Sequence, residues 1–265
     1  MYQPILSKHQ SFTIFLEIIT KKPERLRIYT HDMHKSYTKF TDRFKIVNGR
    51  FVEQIRLPIT PDELGLGVYN ANTTNDPRVN DRSFQANVLS YSPLQTCDVW
   101  MDADTKSFTD FAKDFAVKAG VTPVGNAWSN DGKFHIVYSD VIKDKTTGRI
   151  LYTPSNIGHE TGIIKVAREQ FLKFTVPMRY MILLHEFAHK WMNPKRGKKI
   201  TDESAADLNA LYIYLGEGFP RVDARTVFLK VIYNVTTDEN IKRYEAIDNF
   251  IKQYDAGLIS KCSKK

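Results

Sequence analysis

Residues Met181–Met192 read MILLHEFAHKWM, and the second half of the chain is predicted to fold around this stretch. Apolar residues surround the predicted helix on nearly every side, which is typical of a buried helix. His185 and His189 are four residues apart, so their imidazoles lie one above the other and can bind a single ion. Neutral imidazole is a good ligand for zinc. The stretch therefore predicts a zinc site on a buried helix.

Glu186 immediately follows the first of these histidines. Its side chain is expected beside the metal rather than on it, where the carboxylate can take a proton from water whose pKa zinc lowers to about 7. An ionised carboxylate is costly to bury without a partner, so Glu186 and both histidines need something to bind. An exposed helix face would explain the same residues, but it does not fit their apolar surroundings. We interpret Glu186 as a general base.

A third ligand is expected within residues 202–207, which read DESAAD. A catalytic zinc commonly takes a third protein ligand and keeps one position open for water. Glu203 begins the next predicted helix, with Thr201 as its N-cap. Asp207 lies one turn later, where it can accept a hydrogen bond from a ligand histidine and orient the ring. Alternatively, the acidic residues could simply stabilise the positive end of the helix dipole. That would explain Asp202 and Glu203 in the first turn but not Asp207.

Taken together, HEFAH at residues 185–189 and ESAAD at residues 203–207 resemble the HExxH and ExxAD motifs of gluzincin-type zinc metallopeptidases. The resemblance covers roughly residues 96–215 and implies a zincin fold, in which a twisted sheet packs on the motif helix. The 13 residues between His189 and Glu203 are fewer than in most members, which leaves Asp202 and Asp207 as alternative third ligands. The resemblance implies that His185, His189 and Glu203 are the zinc ligands. It also implies that Glu186 is the general base and that Asp207 orients a ligand histidine.

Members of this family usually stabilise the negatively charged oxygen of the reaction with a Tyr or a His. The sequence does not choose among the candidates, although His159 precedes a predicted edge strand, which favours an ordinary loop position. The candidates are Tyr212, Tyr214, Tyr233 and His159.

Strands precede helices along the chain, which predicts an α+β protein rather than a parallel doubly wound sheet. Residues 1–95 are expected to form a β-rich N-terminal region, and residues 96–265 a zincin-like domain. The predicted strands are Arg27–Thr30, Phe44–Val47, Arg50–Leu57, Phe84–Tyr91, Asp98–Met101, Lys133–Val141 and Gly162–Ala167. The predicted helices are Ser107–Lys118, Pro177–Met192, Asp202–Leu215, Val222–Asn234 and Glu239–Tyr254.

Two short-range patterns refine the N-terminal region. Asn48-Gly49 separates two apolar runs and is a strong signal for a β-hairpin. Between Pro61 and Arg82, many Asn, Asp and Gly residues and few periodic apolar positions indicate a long loop.

The composition restricts the class of protein. Of the 265 residues, 42% are hydrophobic, so a folded chain is expected. The net charge of +8 would suit an acidic partner, but Lys and Arg are scattered and no nucleic-acid-binding motif occurs, so nucleic acid is the weakest candidate. The basic link Lys190–Thr201 is interpreted as a solvated loop rather than a site for acidic substrates. The apolar run Phe12–Ile19 is too short to direct export or span a membrane, which predicts a protein of the cytoplasm or of a virion.

Two functions follow from these patterns. The first is hydrolysis of a peptide bond in a peptide or protein substrate, with one zinc ion polarising the carbonyl and Glu186 moving the proton. The alternative is a structural or assembly protein, such as a bacteriophage virion or tail component, that binds partners in a larger complex. Such a protein would keep the zincin fold with a retained or vestigial metal site.

Overall fold

The computed structural model describes residues 1–35, 38–72, 82–97, 99–144, 146–231 and 237–259 of the chain. Helices and strands are both abundant, which confirms the α+β class predicted from the sequence. The chain divides into two compact units, Met1–Gln95 and Thr96–Lys265. Within the described ranges, no helix combines the length and the apolar character needed to cross a membrane.

The first unit is an antiparallel sheet. Its described strands are β1 Tyr2–Leu6, β2 Phe12–Asp32, β3 Lys39–Leu57, β4 Glu63–Asn70 and β5 Phe84–Pro93. β2 and β3 pair along their length as one long hairpin. On its other edge, the first half of β2 pairs with β5 and the second half pairs with β4. β4 in turn pairs with β1. Ile14, Leu16 and Ile18 alternate along β2 and are fully buried, because successive side chains of a strand point to opposite faces.

Asn48-Gly49 does not turn the chain, so the hairpin prediction at this position was wrong. β3 runs through both residues without interruption, and Gly49 adopts a φ of +80° inside the strand. The pairing register shifts here, since Thr20 faces Gly49 whereas Glu24 faces Val47. The extra residues lie on β2, where residues 21–23 face Asn48, and Gly49 on the opposite strand adopts the positive φ that a two-residue hairpin turn would also need. The dipeptide alone therefore does not distinguish the two structures.

The predicted loop Pro61–Arg82 contains a buried strand, so the loop prediction was wrong for β4. This strand pairs with β1 on one side and β2 on the other, and residues 73–81 lie outside the described residues. Gly67 interrupts the apolar pattern of β4, yet the fold requires it, because a Cβ at this position would collide with the ring of Tyr29. The prediction missed this buried strand because Gly67, which the ring of Tyr29 covers, is a sign of a loop in the sequence alone.

The second unit combines a four-stranded sheet, a small hairpin and helices. Its described strands are β6 Gly125–Trp128, β7 His135–Ser139, β8 Ile142–Lys143, β9 Ile150–Leu151, β10 Ser155–Ile157 and β11 Ile164–Ala167. Its described α-helices are α1 Ala103–Lys118, α2 Arg168–Phe171, α3 Val176–Phe187, α4 Glu203–Gly216, α5 Arg221–Val231 and α6 Asp238–Asp255. The sheet has the order β10-β11-β7-β6, with β11 and β7 parallel and the outer pairs antiparallel, and β8 pairs with β9.

α3 lies at the centre of the second unit. Every residue of this helix except His185 is buried, and it packs against α1, α4, α5 and β10. The helix predicted over Pro177–Met192 continues as a π-helix over Ala188–Met192, in which the amide of Asn193 donates to the carbonyl of Ala188 at 2.8 Å. A short 3-10 turn, Pro194–Arg196, follows, and the chain then returns to α3 as α4.

Two local predictions in this unit were wrong. Asp202 caps α4 instead of Thr201, since its carboxylate accepts a hydrogen bond from the amide of Ala205 at 2.9 Å. Residues 99–101 of the predicted strand 98–101 are not part of a strand, and residue 98 lies outside the described residues. This segment packs on the end of α4, where Val99 leaves no room for a side chain at Gly216.

Candidate metal centre

His185 and His189 project from α3 and from the π-helix that follows it toward the same point. Their Nε2 atoms are 3.1 Å apart, and His189 is only 2% exposed. Two imidazole nitrogens at this distance share either a proton or a metal ion. The helical spacing thus brings both predicted ligands together.

Glu203, the first residue of α4, brings a carboxylate to the two histidines. Its Oε2 lies 3.4 Å from Nε2 of His185, and its Oε1 lies 3.5 Å from Nε2 of His189. Nitrogen and oxygen ligands of a tetrahedral zinc, each about 2.0–2.2 Å from the ion, are about 3.4 Å from one another. The three side chains therefore already have the spacing of a ligand set. Of the three acidic residues considered from the sequence, Asp202 caps α4 and Asp207 lies behind His185, whereas Glu203 belongs to the group that could hold a metal ion.

Both histidines are held from behind through Nδ1. Oδ1 of Asp207 lies 2.9 Å from Nδ1 of His185, and the carbonyl oxygen of Ile200 lies 2.7 Å from Nδ1 of His189. The contact of His185 with Asp207 is close but does not have the geometry of a hydrogen bond. When an imidazole carries its only proton on Nδ1, its Nε2 has a lone pair that faces Glu203, which is the form that binds a metal.

Arg243, on α6, belongs to the site and was missed in the sequence. Its Nε donates to Oδ2 of Asp207 at 2.8 Å, its Nη2 donates to Oδ1 at 3.1 Å, and Nη2 also lies 3.1 Å from Oε2 of Glu203. A buried carboxylate needs a partner of this kind, because an unpaired buried charge is strongly destabilising. Arg243 follows Asp207 by 36 residues and lies in no motif, so only the folded chain brings the two together.

The two carboxylates and the two imidazoles determine the charge of the site. Burial lowers the pKa of His185, but the carboxylates of Asp207 and Glu203 outweigh burial and raise this pKa to about 10. Burial also raises the pKa of Glu203, and here the imidazoles outweigh burial and hold the pKa well below its usual range. Protein without metal therefore keeps a proton among these side chains, and a metal ion would have to displace it.

Glu186 lies beside the histidines and is held by Ser155 of β10. The hydroxyl of Ser155 donates to Oε1 of Glu186 at 2.7 Å. Glu186 is only 8% exposed, and no residue in the described part of the chain donates to its Oε2. This oxygen is therefore free to accept a proton, as the role of general base requires. Ser155 precedes Glu186 by 31 residues and has no motif that would have marked it.

A cavity of about 510 Å³ opens onto these side chains. Glu186 and the three candidate ligands line this cavity, and Val227, Phe228 and Val231 of α5 supply an apolar part of its wall. The cavity therefore offers space for a partly apolar molecule next to the candidate metal position.

The candidates for stabilising a negatively charged oxygen lie in different places. His159 lines the cavity, and its ring centroid is 5.6 Å from that of His189. Tyr214 is fully buried in α4, and Tyr212 faces the basic link instead of the cavity. Tyr233 lies outside the described residues. The interpretation of His159 as an ordinary loop residue is therefore incomplete.

The basic link between α3 and α4 is exposed over most of its length, as predicted, but three of its five cations have partners. Nζ of Lys195 lies 2.5 Å from Oδ2 of Asp102, and the guanidinium of Arg196 lies 5.4 Å from the ring centroid of Tyr212. Lys190 donates to two backbone carbonyls. These contacts fix the link to the rest of the unit.

No family model, curated protein or solved structure matches this chain. What the site can do is therefore inferred from its residues and their geometry. Two imidazoles and one carboxylate form a group that can hold a metal ion, and a second carboxylate beside them can accept a proton from a water molecule.

Proposed function

We propose that the protein is a zinc-dependent peptidase in which His185, His189 and Glu203 hold the metal. The observation that carries this proposal is the spacing of the three side chains, whose ligand atoms face one another at 3.1–3.5 Å. The other nitrogens of both imidazoles are occupied by Asp207 and by a backbone carbonyl, as is typical of metal-binding histidines. Zinc suits this set because its catalytic sites commonly combine two histidines with one carboxylate.

The surrounding architecture supports a zincin fold for residues 96–265. The motif helix α3 packs against β10 at the edge of the sheet and against α4, which supplies Glu203. The sheet precedes both helices along the chain. This order agrees with the fold that the resemblance to zinc metallopeptidases implies.

The residues around the site suit hydrolysis of a peptide bond. When bound, the metal would polarise the scissile carbonyl and lower the pKa of water. Glu186 takes a proton on Oε2 as the water oxygen bonds to the carbonyl carbon, while Ser155 holds Oε1. The carbon–nitrogen bond then breaks, and Glu186 gives the same proton to the leaving nitrogen. The apolar wall of the cavity would contact a side chain of the substrate.

The proposal is tested by measuring zinc per chain and cleavage of a diverse peptide library for the wild type, Glu186→Gln and Glu245→Gln. Glu245 is exposed on α6 and serves as the control. We expect about one zinc ion per chain in all three proteins, with cleavage lost only in Glu186→Gln. Stoichiometric zinc without cleavage by the wild type would overturn the peptidase and favour a structural or assembly role. A chain that binds no zinc would overturn the metal site itself.

A further inference from the structure

Strand β6 forms one end of the four-stranded sheet. It pairs with β7 on one side, and no residue in the described part of the chain forms a backbone hydrogen bond with its other side. Proteins often protect such an edge with a lysine, a proline or a bulge. Residues 125–128 read GNAW and pair without a register shift, so β6 carries none of these features. Over its four residues, free N–H and C=O groups can therefore pair with another extended chain.

A cavity of about 560 Å³ lies beside this edge, between β6 and α1. The face of β7 that carries Ile136 and Tyr138 packs toward α1, since the ring of Tyr138 lies 5.2 Å from that of Phe115. The cross-strand partners of these two residues on β6 are Ala127 and Gly125. Large side chains thus fill the space between β7 and α1, whereas small ones leave the space under β6 open. This space is a groove along the free edge.

The α1 side of the groove carries two exposed carboxylates. Asp110 and Asp114 line the cavity, and their side chains are 66% and 58% exposed. Asp114 pairs with Lys118 at 2.7 Å. Nζ of Lys113 lies 3.3 Å from Asp110 but 2.9 Å from Glu217, which competes for it. Because exposed ion pairs contribute little to stability, both carboxylates are available to a cation on a ligand.

An extended peptide fits a groove between an edge strand and a helix. Its backbone pairs with the edge, and every second side chain enters the groove, which gives the binding its specificity. Phe111 follows Asp110 on α1 and lines the same groove. An aliphatic stem can pack on this ring while a charged head reaches a carboxylate, a combination that arginine and lysine provide. An acidic side chain would instead be repelled by Asp110 and Asp114.

We propose that this groove binds an extended segment of a partner protein as an additional strand of the sheet, with an arginine or lysine directed at Asp110 and Asp114. The groove shares no lining residue with the cavity at the candidate metal centre. Binding at the groove is therefore independent of the proposed peptidase activity.

Calorimetric titration of the full chain with the pentapeptide Thr-Val-Arg-Val-Thr, blocked at both ends, tests the proposal. Glu186→Gln serves as the parent protein, because it lacks the proposed general base and leaves the peptide intact. Two variants of this parent alter the groove. Asp110→Asn combined with Asp114→Asn removes both charges, and Ala127→Leu fills the space. Asp238→Asn, at an exposed position at the start of α6, is the matched control.

Three further peptides vary the ligand. One has Glu in place of Arg, one is N-methylated at both valines, and one is N-methylated at the arginine. Successive N–H groups of a strand point to opposite edges, so strand pairing tolerates methyl groups in one register and not in the other.

We expect the arginine peptide to bind the parent protein and the control variant equally well. Loss of both charges should weaken this binding about fivefold or more, since the contacts of the guanidinium with the carboxylates are lost. Ala127→Leu should weaken it at least as much, and the glutamate peptide should bind more weakly than the arginine peptide. One N-methylated peptide should lose binding, while the other binds like the unmethylated peptide.

Three results would overturn the proposal: no binding of the arginine peptide, equal binding of both N-methylated peptides, or unchanged affinity in both groove variants. Sedimentation velocity tests a different occupant of the edge. A dimer that dissociates in Ala127→Leu would assign the edge to a second copy of the chain and would equally overturn the proposal.

Discussion

Arg243 donates two hydrogen bonds to the carboxylate of Asp207, from Nε to Oδ2 at 2.8 Å and from Nη2 to Oδ1 at 3.1 Å. Asp207 in turn contacts His185, and Nη2 of Arg243 also lies 3.1 Å from Oε2 of Glu203, so the guanidinium contacts two carboxylates of the candidate metal centre. The side chain of Asp207 is only 1% exposed, and its charge therefore depends on this partner. α6 thus contributes to the candidate metal centre without supplying one of its three candidate ligands.

Replacing Arg243 by alanine should lower both zinc affinity and stability. We expect a loss of about tenfold in zinc affinity and of about 3 kcal/mol in the free energy of unfolding, because the buried carboxylate of Asp207 loses its guanidinium partner and keeps only its contact with His185. Competition with a chelator and urea unfolding measure the two quantities. Arg225→Ala, which breaks a pair with Asp248 between α5 and α6, is the control and should leave zinc affinity unchanged. Wild-type zinc affinity in Arg243→Ala would contradict the prediction.

The three acidic residues at the start of α4 should respond differently to alanine. Asp207→Ala should lower zinc affinity about 10–100-fold, and Glu203→Ala should lower it further, because only Glu203 lies at ligand distance from both histidines. Asp202→Ala should cost about 1 kcal/mol of stability through the lost cap and leave zinc affinity unchanged. Zinc titration of all three variants checks the order. A larger loss of zinc affinity in Asp202→Ala or Asp207→Ala than in Glu203→Ala would show that Glu203 is not the third ligand.

Ser155→Ala should impair turnover without affecting the metal. The hydroxyl holds Oε1 of Glu186, and losing one hydrogen bond of about 1–1.5 kcal/mol corresponds to a fall of about 5- to 10-fold in kcat. Zinc per chain should be that of the wild type. Ser107→Ala, which removes a hydrogen bond to Asp131 elsewhere in the unit, is the control. An unchanged kcat in Ser155→Ala would show that Glu186 does not depend on this contact.

The pair formed by Asp102 and Lys195 should make a small, pH-dependent contribution to stability. The Lys195 ammonium, together with the hydroxyl and amide of Thr105, lowers the pKa of Asp102 from 3.8 to about 2. The ionised carboxylate therefore stabilises the folded chain above about pH 4, and this contribution disappears as the pH falls to about 2. Asp102→Asn keeps an acceptor for Thr105 and removes the charge.

Because the pair is partly exposed, the expected difference in unfolding free energy between the wild type and Asp102→Asn is about 1 kcal/mol at pH 6. At pH 2 the two proteins should be equally stable. Urea unfolding at both pH values measures the difference. The same difference at pH 2 and pH 6 would show that the charge of Asp102 contributes nothing.

The candidate ligands could be predicted because short-range rules place them. A four-residue spacing on a helix brings His185 and His189 together whatever surrounds them, and Glu203 follows on the next helix. The contacts that complete the site obey no such rule. Ser155 and Arg243 arrive from a strand 31 residues before Glu186 and from a helix 36 residues after Asp207. Only tertiary packing decides which side chains of those elements face the site.

In the N-terminal unit, the sequence pattern identified some strands but misplaced the turns and loops. Alternating apolar residues identified β2, β3 and β5 in part, because one face of each strand is more buried than the other over part of its length. Gly49 and Gly67 misled the interpretation, since glycine marks a turn, a bulge or a close ring contact with equal strength. The choice among these depends on neighbours that the local pattern does not contain.

The π-helix at Ala188–Met192 gives the centre an unusual genetic vulnerability. A π-turn accommodates one residue more than an α-turn, so loss of a single codon within it would restore ordinary helical winding. Because the π-turn takes up the extra residue locally, the segment after Met192 would keep its direction and its place. The side chains within the turn would instead shift, and they include His189 and Lys190. A one-residue deletion can therefore displace a candidate ligand and the contacts of Lys190 without disturbing the return of the chain to α4.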